Sequence, residues 1–103
     1  AIGPTLALTA SPTNPLPGQE VVIRASETPK MTDQDCSYFW EDSQGGAFSG
    51  SAADPRRYSL TLKGDQPVRV TARMAAFIPG ESPPLVRTAI RLSLDIRAPP
   101  LQV

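Results

Sequence analysis

The chain has 103 residues, with ten basic and ten acidic side chains, twelve prolines, seven glycines, one cysteine and no histidine. This length suits one small domain, and the residue counts exclude an internal disulfide, a Cys/His zinc cluster, a Ser-His-Asp triad and a Cys-His dyad. No run approaches the roughly 18 apolar residues of a membrane span, and the chain does not start like a signal peptide. We therefore expect a mature, soluble piece without membrane insertion.

Alternating apolar residues predict two strands at the start of the chain, over residues 5–10 and 20–26. The connection between them, residues 11–18, contains three prolines, which cannot donate hydrogen bonds to a sheet. Residues 27–35 are mostly polar and include a proline, which predicts a loop that crosses from one sheet to the other.

A third strand is predicted from residue 36 to about residue 42, with Cys36, Tyr38 and Trp40 on one face. We expect this face to be buried, with the cysteine acting as a small hydrophobic residue rather than as a reactive thiol. A glycine pair ends the strand, and the small and polar stretch after it predicts one short edge strand over residues 47–50.

Three further strands are predicted over residues 58–63, 68–78 and 86–97. The last of them shows the clearest alternation, with apolar residues at four successive even positions. A helix in this segment would place Arg91 and Asp95 on its apolar stripe, so the pattern favours a strand.

About seven half-buried strands predict an all-β fold, namely a two-sheet antiparallel sandwich, because a single sheet would leave one apolar face in water. One domain is expected over residues 1–103, in which residues 1–4 and 98–103 are links to neighbouring segments. The side chains predicted to fill the core include Trp40, Tyr38, Ile23, Val70 and Leu92.

Short motifs are spread over almost the whole chain. They are Pro17-Gly18 followed by Val21-Val22-Ile23, Tyr38-Phe39-Trp40 followed by Gly45-Gly46, Gly64 leading into Val68-Arg69-Val70-Thr71, and a last strand ending at Ile96. In these motifs the chain resembles the immunoglobulin-like sandwiches of bacterial and archaeal surface proteins, and among them the PKD (polycystic kidney disease) type. It departs from the PKD pattern in the turn after Trp40 and in lacking a tyrosine just after Gly64.

The resemblance implies a non-catalytic module of a larger secreted, cell-envelope or virion surface protein, hence an extracytoplasmic location. Such a module serves as a structural spacer or as a protein-interaction and adhesion unit. Its implied partners are neighbouring domains of the same polypeptide or another surface protein. No cofactor and no nucleic acid are expected.

A second hypothesis comes from the charge distribution. Residues 1–55 hold two basic and seven acidic side chains, whereas residues 56–103 hold eight basic and three acidic ones. If the last two strands pair, one exposed sheet face carries Arg69, Arg73, Arg91 and Arg97, with Phe39 from the third strand beside them. Guanidinium groups next to an aromatic ring bind sulfate, phosphate or uronate groups, which predicts a module for anionic polysaccharides. The alternative is a solvated face in which Glu41 and Asp95 neutralise the arginines.

Acidic residues offer two further possibilities, and neither is favoured. Asp33 and Asp35 are a weak Ca²⁺ candidate, because the loop lacks the glycine and bidentate glutamate of a dedicated calcium site. Glu41 and Asp42 are adjacent on a strand and point to opposite faces, so they do not flank one bond as a hydrolase would require. The sequence therefore predicts no metal ion and no catalytic residue.

Overall fold

Seven β-strands form the regular structure in the described part of the chain, which covers residues 4–48, 54–64, 66–77 and 86–98 of the computed structural model. They are β1 (Thr5–Ser11), β2 (Glu20–Thr28), β3 (Cys36–Asp42), β4 (Ala47–Phe48), β5 (Arg57–Thr61), β6 (Val68–Phe77) and β7 (Val86–Ile96). Their ends lie within about two residues of the predicted ones. Residues 49–50 and 78, which were also predicted as strand, lie outside the described residues.

The strands form two antiparallel sheets, of three strands in the order β1-β2-β5 and of four strands in the order β4-β3-β6-β7. The loop between β2 and β3 crosses from the first sheet to the second, as its polar composition indicated. The prediction of an all-β, two-sheet sandwich is confirmed.

The core lies between the two sheets and is filled by alternate residues of each strand. In β2 the buried positions are Val21, Ile23, Ala25 and Glu27, and in β6 every even residue from Val68 to Ala76 is buried. Because side chains alternate across a strand, a period of two in the sequence becomes one buried and one solvated face. Trp40 is the largest fully buried side chain in the described part.

Two positions differ from the prediction. Leu92 was expected in the core, but it is only half-buried, because β7 is an edge strand and is flanked by another strand on one side only. Ala98 was expected to begin a link, but it is only 2% exposed and packs with the core. The remaining predicted link residues, 1–3 and 99–103, lie outside the described residues.

The chain enters β1 and leaves β7 at opposite ends of the sandwich. Thr5 pairs with Thr28 at the end of β2, beside the loop that leads into the start of β3. Ile96 pairs with Val68 at the start of β6, and this part of β6 runs beside the end of β3. Since β3 runs from one end of the sandwich to the other, Thr5 and Ile96 are separated by the length of a strand.

The turn between β3 and β4 is organised by one carboxylate. Oδ1 of Asp42 accepts hydrogen bonds from the backbone N–H groups of Gln44 (2.8 Å) and Gly46 (3.2 Å), and Oδ2 accepts one from the Tyr58 hydroxyl (2.5 Å). Gly45 has a φ of 100°, which glycine adopts without a steric penalty. The turn is thereby tied to β5 of the opposite sheet.

Gly46→Ala is expected to destabilise the protein by about 1–3 kcal/mol, the usual cost of overpacking. A Cβ at this position would collide with the Asp42 carboxylate and lie 2.6 Å from the Tyr58 hydroxyl oxygen. Urea denaturation measures the effect, with Gly64→Ala as a control, because a Cβ there meets nothing within 4 Å. Equal midpoints for the two variants would contradict the described turn.

Candidate binding surface

The outer face of the four-stranded sheet carries most of the residues predicted to bind a ligand. We call it the arginine face and define it by the outward residues of β3, β6 and β7. These are Ser37, Phe39, Glu41, Arg69, Thr71, Arg73, Ala75, Ala89, Arg91, Ser93 and Asp95.

The strand register arranges the arginine face in three rows of three residues and a fourth row of two, Arg69 and Asp95. Phe39, Arg73 and Arg91 form one row across β3, β6 and β7. The predicted binding residue Arg69 lies two rows away along β6, and Arg97 is exposed just after the last residue of β7. The structure therefore brings together three of the five predicted residues.

Two of the arginines are paired with carboxylates on the same face. Arg69 Nε lies 2.9 Å from an Asp95 oxygen, and Arg73 Nη2 lies 3.1 Å from a Glu41 oxygen. The hydrogen bond from Arg69 lowers the pKa of Asp95. Both pairs reduce the free positive charge of the face. Because they are exposed to solvent, they contribute little to stability.

Arg91 differs from Arg69 and Arg73 in its charged neighbours. Within the described ranges, no carboxylate oxygen lies within 4 Å of its guanidinium group. The guanidinium carbon of Arg73 lies 5.8 Å from the centre of the Phe39 ring, within the range of a cation–π contact. A shallow depression of about 280 Å³ lies next to this row and also borders Ser37, Ala75 and Ala89.

A second group of polar residues is buried, and the sequence did not reveal it. Glu27 is only 4% exposed. Its carboxylate accepts hydrogen bonds from Arg56 Nε (2.9 Å), Arg56 Nη2 (2.9 Å) and the Tyr38 hydroxyl. Burial by itself would raise the pKa of Glu27, but the hydrogen bonds from Arg56 and Tyr38 and the positive charge of Arg56 bring it below its ordinary value. We call these residues the Glu27–Arg56 cluster.

Arg56 also connects the cluster to the loop between β2 and β3. Its Nη2 donates to the Met31 carbonyl oxygen (2.7 Å), Nη1 pairs with the Asp33 carboxylate, and Nη2 lies 3.3 Å from Cys36 Sγ. Burial raises the pKa of the Cys36 thiol, which favours its unreactive protonated form. The arrangement fastens the loop and the start of β5 to the core.

Three aromatic rings are stacked in the core. The ring centres of Tyr38 and Trp40 are 6.0 Å apart, and those of Trp40 and Tyr58 are 5.6 Å apart, with angles of 15° and 7° between the ring planes. The indole N–H of Trp40 donates to the Pro55 carbonyl oxygen at 2.8 Å. Because Tyr58 belongs to the three-stranded sheet and Trp40 to the four-stranded one, the stack joins the two sheets.

The two weak calcium candidates, Asp33 and Asp35, make different contacts. The Asp33 carboxylate pairs with Arg56, whereas the backbone of Asp35 donates to Thr32 and accepts from Phe77. Among the described residues, no three acidic or cysteine side chains are close enough to share a metal ion. The absence of a bound metal stays a prediction.

Comparisons with protein-family models, curated proteins and solved structures found nothing that matches the chain. The described segments also contain no helix long and apolar enough to cross a membrane.

Proposed function

We propose that the chain is a non-catalytic, immunoglobulin-like module of a larger secreted, cell-envelope or virion surface protein. In this role it spaces its neighbours and presents the arginine face to a neighbouring domain or to another surface protein. The strand order supports the immunoglobulin-like assignment: strands one, two and five lie in one sheet, and three, six and seven lie in the other. The finer PKD assignment depends on the sequence motifs alone.

The observation that carries the spacer role is the position of the first and last strands. The chain enters the sandwich at Thr5 and leaves it past Ile96 at the opposite end. A strand rises about 3.3 Å per residue, so the 11 residues of β7 span roughly 35 Å. A module of this kind holds its two neighbouring segments apart by about the length of the sandwich.

Joining two copies of the chain end to end tests this role. The maximum dimension in small-angle X-ray scattering is expected to grow by at least about 30 Å from one copy to two, because each sandwich adds roughly its strand length. A tandem protein whose maximum dimension barely exceeds that of a single copy would contradict the spacer role, since the two modules would then lie side by side.

The charge balance of the arginine face favours a protein partner over a polyanion. Glu41 and Asp95 pair with Arg73 and Arg69. Within the described structure, Arg91 is the one arginine of this face without a carboxylate within 4 Å. Polyanions bind most strongly to clusters of uncompensated positive charge. A face with both charges suits the polar rim of a protein interface.

Binding of anionic polysaccharides is the second candidate function, and one observation favours it. Arg73 and Arg91 are direct partners across neighbouring strands, a placement that destabilises a sheet when both charges are alike. Glu41 already balances the charge of Arg73, so an anion bound at Arg91 would relieve the remaining repulsion. If this function is correct, the protein is retained on a heparin column, and Arg69→Glu/Arg91→Glu elutes at a clearly lower salt concentration. Equal elution of the two proteins would dismiss it.

A further inference from the structure

The row formed by Phe39, Arg73 and Arg91 has unused capacity for hydrogen bonding. Arg73 directs one nitrogen, Nη2, to Glu41, while the Arg91 guanidinium has no carboxylate within 4 Å in the described part of the chain. A guanidinium group presents its donors in a planar fork that matches the two oxygens of a carboxylate. Arg91 is the partner of Arg73 across β6 and β7. The Arg73 guanidinium is directed to the other side, towards Glu41 and Phe39 of β3, so Arg91 is the arginine whose donors are available to an incoming carboxylate.

The next row along the same strands is small and mostly apolar. Ser37, Ala75 and Ala89 are partners across β3, β6 and β7, and they border the depression of about 280 Å³. The Phe39 ring lies at the boundary between this row and the arginines, beside the guanidinium of Arg73. The volume falls just below the roughly 300–1,000 Å³ of small-molecule pockets, which suits one or two amino-acid side chains.

From this juxtaposition we infer that the depression binds an acidic segment of a partner protein. A carboxylate of the partner pairs with the Arg91 guanidinium, and an apolar side chain next to it lies over Ala75 and Ala89 against the Phe39 ring. The inference deepens the protein-interaction role proposed above and rests on it. A protein segment fits better than a sulfated polysaccharide, because the floor of the depression is apolar and the next arginine along β6, Arg69, is already paired with Asp95.

Titration of the ¹⁵N-labelled full chain with two short peptides tests this inference. The probes are acetyl-Val-Glu-Val-Glu-Val-amide and its glutamine counterpart, used near physiological ionic strength. The glutamate peptide is expected to shift the backbone amide signals of Ala75, Ala89 and Arg91. It is expected to bind at least about five-fold more tightly than the glutamine peptide, because charge-assisted hydrogen bonds are roughly twice as strong as neutral ones.

Arg91→Gln is expected to weaken binding of the glutamate peptide at least about five-fold. Arg57→Gln is the matched control and is expected to leave binding unchanged. Arg57 also faces an arginine, Arg24, across neighbouring strands, but it lies on the three-stranded sheet, and Asp54 lies near Arg24. Circular dichroism spectra of both variants confirm that they are folded.

Three results would overturn the inference. They are equal affinity for the two peptides, unchanged binding by Arg91→Gln, and binding of a heparin hexasaccharide at this row without binding of either peptide. None of them affects the scattering of the tandem protein. The spacer role and the peptide site can therefore fail independently of each other.

Discussion

Trp40→Ala is expected to lower the free energy of unfolding by about 3–5 kcal/mol, the usual cost of truncating a buried tryptophan. Trp40 is 0% exposed and lies between the Tyr38 and Tyr58 rings. Its removal leaves a cavity between the sheets and takes away the ring on which both tyrosines stack. Since small domains have only about 5–15 kcal/mol of stability in total, the variant loses a large part of it. Urea denaturation followed by far-UV circular dichroism measures the loss.

Trp40→Phe is the control for this experiment. Phenylalanine keeps an aromatic ring in the stack, but it leaves the Pro55 carbonyl without the indole N–H that lies 2.8 Å from it in the native protein. The expected loss is about 1–3 kcal/mol, which combines an unpaired, partly buried acceptor with a small reduction in volume. Equal losses for the two variants, or a loss below about 1 kcal/mol for Trp40→Ala, would contradict the role of the stack.

Arg56→Met is expected to destabilise the protein by about 3–5 kcal/mol, because it leaves the buried Glu27 carboxylate without its counter-charge. Glu27→Gln in the Arg56→Met background removes that charge and should recover part of the loss, since the amide oxygen still accepts from Tyr38. Arg69→Met is the matched control, because its partner Asp95 is exposed to solvent, and its urea midpoint should stay close to that of the unmodified chain.

The interaction between Glu27 and Arg56 is also tested by the pH dependence of the free energy of unfolding, measured for the unmodified chain and for Arg56→Met. The hydrogen bonds and positive charge of Arg56 hold the pKa of Glu27 below its ordinary value in the folded chain, so its contribution to stability is present above the pKa of the unfolded chain and is lost as the pH falls through the folded value. In Arg56→Met, burial raises the pKa of Glu27, so protonation stabilises that variant relative to neutral pH. The difference in stability between the two proteins should therefore narrow on acidification to about pH 4. A constant or growing difference would show that Glu27 is not the group involved.

Most of the fold could be predicted from the sequence because burial on strands follows a simple period. Trp40 and Tyr38 share parity with Cys36, and the sandwich buries all three. The same rule overestimated the burial of Leu92. Parity says which face a residue occupies, but the cover over that face depends on whether the strand is central or at an edge.

The Glu27–Arg56 cluster could be predicted only in part. Glu27 was placed in the loop over residues 27–35 because that segment is mostly polar and contains a proline, although Glu27 shares parity with the buried Ile23 and Ala25 and continues their strand. That parity was the available signal. Arg56 gave no comparable signal, because it reaches Glu27 from a distant turn through three-dimensional packing. A polar residue at a position where the alternation predicts burial therefore indicates that it has a buried partner, but the sequence does not show which residue that partner is.

The arginine face, too, could be predicted only in part from the sequence. Alternation placed Arg69, Arg73 and Arg91 on one side of the sheet, and their exposed side chains lie on that side. Which of them are paired depends on the register, which sets Arg69 opposite Asp95 and Arg73 opposite Arg91. Register between distant strands is not encoded in the period, so the row beside Phe39 is evident only in the folded chain.

The packing of the two sheets around Trp40 is tested most directly by a nuclear Overhauser measurement between the Trp40 indole and the Tyr58 ring. The two residues belong to different sheets, and their ring centres are 5.6 Å apart. The sandwich predicts clear cross-peaks between the protons of these rings, together with slow exchange of the indole N–H with water. Absent cross-peaks and a rapidly exchanging indole proton would contradict it, because the two sheets would then not enclose Trp40.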